Sequence, residues 1–309
     1  MSLLKYIPLQ TKQASAISEA NILCLGNFDG VHAAHRTLLR SAKTLQTEKF
    51  SCVPCGVFCF EKPSIDFLFA SPPKHLTTLE QKLHHFASEG MDFAIVADFP
   101  ALQDLSPQAF IEEILIKECA CVAAVCGYNY HFGKNGAGTP ALLQKLLGDS
   151  NVIITPPIVM NEKPVSSTRI RELLKNGKVA EANELLTVPF SITAPVEHGK
   201  GLGKHLGAPT FNQTPPFELL IPLCGVYLTR CIVDKKVYYG LTNIGTHPTV
   251  DANAAINLET HLLDFHGDLY QRNLTVEFLD FLRPEQRFSS VKELQKQIQQ
   301  DILMIKNRL

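Results

Sequence analysis

Leu23-Cys24-Leu25-Gly26-Asn27-Phe28-Asp29-Gly30-Val31-His32-Ala33-Ala34-His35 reads as a buried apolar strand, a glycine-bearing turn and the start of a helix. In an open parallel sheet ligands collect beyond the carboxyl ends of the strands. A helix amino terminus placed there offers free N–H groups and a positive dipole to a phosphate. His32 and His35 stand three positions apart, so one face of the first helical turn presents both rings. The dipole disfavours an added positive charge, which points to neutral imidazoles donating hydrogen bonds to phosphate. Two surface histidines after a structural turn is the competing explanation, and only the rest of the chain can choose between them.

Working outward, short apolar runs alternate with amphipathic stretches. The periodicity predicts strands over 22–28, 52–60, 92–97, 121–126 and 152–155 and helices over 33–46, 78–89, 107–117 and 139–147. That alternation is the pattern of a Rossmann-like α/β domain, a parallel sheet covered by helices. Two further helices are expected at 167–175 and 179–186. After Thr187 the character changes, with strands expected at 225–233, 236–242, 256–263 and 274–282 between Gly, Pro and Asn turns. These suggest a small antiparallel β-barrel or sandwich. A final helix over 290–307 carries Leu294, Ile298, Ile302 and Ile305 on one stripe. The expected domains are 1–187 and 188–309.

Composition narrows the function classes. The 309 residues are 45% apolar, and 29 Lys and Arg balance 30 Asp and Glu, so no broad field favours nucleic acid or an anionic membrane. Small molecules are the expected partners, oligomeric state is left open, and any phosphate site must be local. The amino terminus lacks a basic region followed by an apolar core, and no apolar run is long enough to span a bilayer, which fits a cytoplasmic chain. Nine cysteines, mostly inside apolar runs, suggest reduced core thiols. Cys52, Cys55 and Cys59 have no second Cys or His pair at zinc-site spacing.

Other segments carry chemistry. In Val165-Ser166-Ser167-Thr168-Arg169-Ile170-Arg171-Glu172 the hydroxyls suit a helix cap, but two arginines in a first helical turn are unfavourable unless an anion joins them. The loop Cys126-Gly127-Tyr128-Asn129-Tyr130-His131-Phe132-Gly133 follows an expected strand and is rich in aromatics. In the second half, Glu197 to Asn212 is glycine-rich yet is neither a Walker loop nor a dinucleotide fingerprint. Thr210 and Asn212 share one side of an extended segment, where both can offer oxygen to a hard cation. Asn257, Glu259 and His261 share a strand face that has to meet solvent or a polar cavity.

Taken together and in this order, these motifs resemble the bacterial bifunctional riboflavin kinase/FAD synthase family over nearly the whole chain. The resemblance implies an HxGH-type nucleotidyltransferase domain followed by a riboflavin kinase barrel. It would have ATP phosphorylate riboflavin to FMN and adenylylate FMN to FAD, with Mg2+ at both steps. It implies that Gly26, Asn27, Phe28, Asp29, His32 and His35 hold ATP, and that Ser167, Thr168 and Arg171 grip its phosphates. Asn129 would lie near the flavin. In the kinase, Gly201, Gly203 and Lys204 would meet nucleotide phosphate, Thr210 and Asn212 would serve Mg2+, and Glu259 would be the base. The chain departs from the family pattern at Ala34, at Phe60-Glu61-Lys62-Pro63 in place of Pro-His-Pro, and at His131, Lys204 and Phe211. The first two departures keep open a kinase alone, or a flavin-nucleotide-binding regulator with a lapsed adenylyltransferase site.

Overall fold

The computed structural model describes residues 4–9, 19–62, 64–198, 208–247 and 255–308. The chain divides into two compact units, Met1–Ser167 and Thr168–Leu309. In the first, β1 (Lys5–Leu9), β2 (Asn21–Leu25), β3 (Cys55–Phe60), β4 (Phe93–Ala97), β5 (Cys121–Gly127) and β6 (Val152–Thr155) form a parallel sheet in the order β1-β4-β3-β2-β5-β6. β2 sits between β3 and β5, where the winding direction reverses, so the turn leaving β2 opens at the switch point of the sheet.

Helix α1 (Ala33–Lys49) follows β2, and α2 (Ile65–Leu68) and α3 (Leu79–Ser88) lie between β3 and β4. Next come α4 (Phe99–Leu102), α5 (Pro107–Ala109) and a π-helix over Phe110–Glu118, then α6 (Pro140–Leu147) between β5 and β6. Every residue of β2 is buried, as expected of a strand covered on both sides. Ile22 and Cys24 cluster with Leu38, Leu39 and Ala42 of α1, while Leu23 and Leu25 cluster with Phe110, Ile111 and Ile114 of the π-helix. Leu39, fully buried, contributes about 2 kcal/mol by the area rule.

The parallel α/β architecture is as expected, with local differences. β2 stops at Leu25 rather than at Phe28, because Phe28 takes φ 52° and leaves the extended region. β3 starts at Cys55 because Cys52, at φ 77°, belongs to the preceding turn. The helix expected over 107–117 is largely a π-helix. β1 was not foreseen: it is an edge strand, where Pro8 is tolerated while Ile7 and Leu9 are buried. A small hairpin, β7 (Val159–Met160) with β8 (Lys163–Pro164), turns through Asn161 and Glu162, both at positive φ. All nine cysteines are free; Cys52 is exposed, Cys224 partly so, and the others are buried.

The second unit takes in α7 (Ser167–Lys175) from Thr168 onward, α8 (Val179–Leu186) and an antiparallel six-stranded sheet. Its strands β9 (Phe190–Pro195), β10 (Phe211–Gln213), β11 (Gly225–Val233), β12 (Lys236–His247), β13 (Ala255–Leu262) and β14 (Asn273–Arg283) run β10-β13-β12-β11-β14-β9. The two ends are drawn together. Glu197, just past β9, bridges Asn212, and the buried Gln213 side chain donates to the carbonyls of Ala194 (2.6 Å) and Leu274 (2.9 Å). Inside, the hydroxyls of Thr229, Thr242 and Thr260 form a row with spacings of 2.8 and 2.9 Å.

Helix α9 (Val291–Lys306) closes the chain, its Ile302 and Ile305 packed with Val226, Leu228 and Leu241. Asp301, 1% exposed, takes a two-pronged ion pair from Arg283 and a hydrogen bond from Gln297 (2.8 Å). The two short helices expected to close the first domain count with the second unit instead. The Leu223 N–H donates to the Leu174 carbonyl (3.0 Å), and Asn183 accepts the Phe190 N–H (2.7 Å) while donating to the Phe278 carbonyl (2.8 Å).

Asn183→Ala should cost about 1–3 kcal/mol, because it strips partners from two part-buried backbone groups. By the same reasoning, a chain starting at residue 168 should melt well above one starting at 188 in parallel thermal scans. Asp301→Ala leaves the Arg283 guanidinium without its carboxylate and should cost about 3–5 kcal/mol in urea titration, against about 1 kcal/mol for Gln297→Ala.

Candidate active sites

At the end of β2 a short turn has to reverse the chain into α1. It does so with Phe28, Gly30 and Val31 all at positive φ, at 52°, 84° and 37°. Side-chain clasps hold this strained path. Asp29 is buried, and its Oδ1 accepts the backbone N–H groups of Leu76 (2.9 Å) and Thr77 (3.2 Å). The Gly30 N–H donates to the Thr77 hydroxyl oxygen (3.0 Å), and the Ser167 hydroxyl donates to the Asp29 carbonyl (2.9 Å). Phe28 is buried with its ring against His35 and Phe86. Within this turn Asn27 is exposed and Gly26 half-buried.

His32 begins α1 as its N-cap residue, but its ring makes no capping bond to the helix backbone. The His32 and His35 rings stack at 3.7 Å and 13°. Burial first, then His32, then the Lys82 charge hold His35 well below the usual imidazole range, so its ring is neutral at neutral pH. Its Nδ1 is buried with no hydrogen-bond partner among the described residues. Ala34 lies in the first turn of α1, half-buried, where a methyl group suits the helix. From the Ser-Ser-Thr-Arg-Ile-Arg motif, Ser167 reaches the turn through its hydroxyl. Thr168 is exposed and Arg171 buried on α7, both counted with the second unit.

A chain of aromatic rings runs along the sheet end beside this turn. Phe67 stacks on Phe99, Phe99 meets Phe60 edge-on, and contacts continue through Phe58 and Phe110 to Phe132 and Tyr130. Phe67, at one end of this chain, is exposed, as are Leu68, Phe69 and Tyr128. Asn129 is also exposed, on the loop after β5, and His131 is tied to the Gly136 carbonyl (3.0 Å). Sequence reading passed over Phe67, Leu68 and Phe69. The signal was there: three large apolar residues in a stretch otherwise rich in proline and charge.

The second site is built by strand register. Asn212 of β10 and Asn243 of β12 both pair with Glu259 of β13, so all three side chains leave the sheet on one face. Asn257 and His261 share that face, half-buried, while Leu258, Thr260 and Leu262 are buried on the other. The Asn257 amide donates to Asn212 Oδ1 (2.7 Å) and lies 3.4 Å from Glu259 Oε1, which draws these two oxygens together. Thr210, just before β10, is half-buried. Glu285 also reaches this strip, 3.5 Å from the Asn243 amide. A Cβ on Gly245 would come within 2.5 Å of its carboxylate, so glycine admits it. Gly201, Gly203 and Lys204 lie outside the described residues.

Comparison with known proteins identifies the family. The FAD synthetase family model matches residues 14–169 and the riboflavin kinase model residues 186–309. Proteins named bifunctional riboflavin kinase/FMN adenylyltransferase are similar over most of their length. The one from Escherichia coli K12 is 37% identical, covering 94% of this chain and 93% of its own, and the one from Listeria monocytogenes is 32% identical, covering 95% and 93%. A Bacillus subtilis protein of that name is 31% identical, covering 91% and 90%. A solved structure from Streptococcus pneumoniae, described as a macrolide-efflux protein, shares the fold at TM-score 0.90 and 28% identity over 98% of this chain and 99% of that one. Among the described residues of the present chain no helix is long and apolar enough to cross a membrane. With both family models matched in order, and full-length relatives above 30% identity, the chain belongs to the bifunctional riboflavin kinase/FMN adenylyltransferase family.

Proposed function

We propose that residues 1–187 carry adenylyl transfer and residues 188–309 carry riboflavin phosphorylation, with Glu259 as the base of the kinase. The observation that supports this most is the polar strip on the barrel, where Glu259 stands in register between Asn212 and Asn243. The terminal hydroxyl of the ribityl chain is neutral and must lose its proton as it attacks the γ-phosphate. Glu259 takes that proton, the new bond gives FMN, and ADP leaves. Thr210 and Asn212 would hold Mg2+. The donors fit, being hard oxygens, with Asn212 Oδ1 and Glu259 Oε1 brought close by one amide. When bound, Mg2+ offsets charge on the phosphate oxygens. Gly201, Gly203 and Lys204 are assigned to the ATP phosphates by family resemblance alone.

Adenylyl transfer makes a different demand. The FMN phosphate, with a second pKa of about 6 as in other phosphate monoesters, arrives as an anion and needs no base. It attacks the α-phosphorus of ATP and pyrophosphate departs. His32, His35 and Ser167 would donate hydrogen bonds to the developing charge, and family resemblance alone assigns Thr168 and Arg171 to the same phosphates. Gly26 and Asn27 lie along the nucleotide, while Phe28 and Asp29, both buried, shape its turn. Asn129 and the exposed Phe67 with Phe99 receive the flavin ring. Nine free thiols fit a reducing, cytoplasmic setting.

The two nucleophiles separate the sites experimentally. Glu259→Gln should lower FMN formation about 100-fold or more while leaving conversion of supplied FMN to FAD nearly intact. His32→Ala and Arg171→Ala should do the reverse, losing about 2–4 kcal/mol of transition-state stabilisation for FAD formation. Phe67→Ala should raise KM for FMN in the second reaction only. Chromatography of FMN and FAD reads all four variants, and loss of both activities together in every one of them would sink the two-site division. Excess chelator should stop both reactions and added Mg2+ restore them; kinase turnover that survives chelation removes the metal role of Thr210 and Asn212.

A further inference from the structure

Lys82 on α3 is 2% exposed, among the largest fully buried side chains of the chain. Among the described residues its ammonium makes no ion pair, and its one hydrogen-bond partner is the Asn27 carbonyl, at the long distance of 3.5 Å. An ammonium taken out of water without a carboxylate is costly, several kcal/mol even after relaxation. A core position on an amphipathic helix would ordinarily be filled by Leu or Met. The location is equally specific. Asn27 lies in the clasped turn, and the Lys82 charge is felt by His35 and by Cys59 near the end of β3.

Apart from Ser167, the clasps of the turn come from this one segment. Lys82 holds Asn27, Phe86 packs edge-on against Phe28 at 5.3 Å, Leu76 and Thr77 hold Asp29, and Thr77 holds Gly30. A capping box between Thr78 and Gln81 fixes where α3 starts, and so where Lys82 falls. We propose that Lys82 is an electrostatic positioning residue for adenylyl transfer, its buried ammonium pinning the nucleotide turn and adding positive potential where the triphosphate of ATP binds. This rests on the reading that the 26–35 segment holds ATP. It explains why a charge is kept in the core: the compensating anion arrives with the substrate.

Lys82→Met tests this in the full-length protein, because the two roles a buried lysine can have pull stability and activity in different directions. The apolar isostere should melt at the same temperature or higher. FAD formation from FMN should show a raised KM for ATP and a kcat/KM lower by about 10- to 100-fold. FMN formation in the same preparation should not change, and Lys82→Arg should recover part of the loss by restoring the charge. Unchanged KM and kcat/KM in a folded Lys82→Met protein overturns the proposal. So does a fall in melting temperature with FAD formation dropping only in proportion to folded protein, which is the result for a packing role. His32→Ala in parallel keeps the two levels apart: if it too leaves FAD formation intact, the placement of ATP at this turn is wrong, whereas loss with His32→Ala alone removes only the role of Lys82.

Discussion

One carboxylate oxygen, Asp29 Oδ1, fixes the geometry of the first site. A turn with three residues at positive φ is unfavourable without something to hold it, and a buried acceptor shared by two backbone N–H groups supplies that hold. From this clasp the rest is placed. The chain leaves the turn at His32, α1 begins there, and the stacked imidazoles stand at the crevice where the winding of the sheet reverses. Asp29 and Phe28 thus shape the turn proposed to hold ATP, and the loss of either would be felt as misplacement of His32 and His35.

The second site depends on register rather than on a clasp. A slip of one residue in β13 would turn Glu259 inward and Leu258 outward, so the apolar core that specifies the pairing also aims the carboxylate proposed as the base. Gln213 adds to this by holding the edge strand that carries Asn212 against the opposite edge of the sheet. The stability of the barrel and the alignment of its polar strip are therefore the same set of contacts read from two sides.

Much of this was legible from periodicity and turn chemistry. The parallel sheet, β11, α7 and α8 stand where apolar patterns place them, because these segments are long or strongly patterned. β1 escaped notice because a proline in a short run argues against a strand until its edge position is known. The allegiance of α8 was hidden because Asn183 looks like any polar helix residue until its two partners on β9 and β14 are seen. Sequence marked Asp29 as a nucleotide contact, and only the backbone donors at 76 and 77, far away along the chain, give its carboxylate a different task. Lys82 was invisible for the same reason: a lysine on an amphipathic helix reads as solvent-facing, and its burial is a tertiary fact.

The threonine row inside the barrel carries an ordering of its own. Each hydroxyl has a single proton, so the central Thr242, lying between Thr229 and Thr260, can give it to only one neighbour and must accept from the other. The two hydrogen bonds of the row therefore run the same way, toward β11 or toward β13, and they reverse only together. The interior of this barrel holds a small dipole with two opposite orientations.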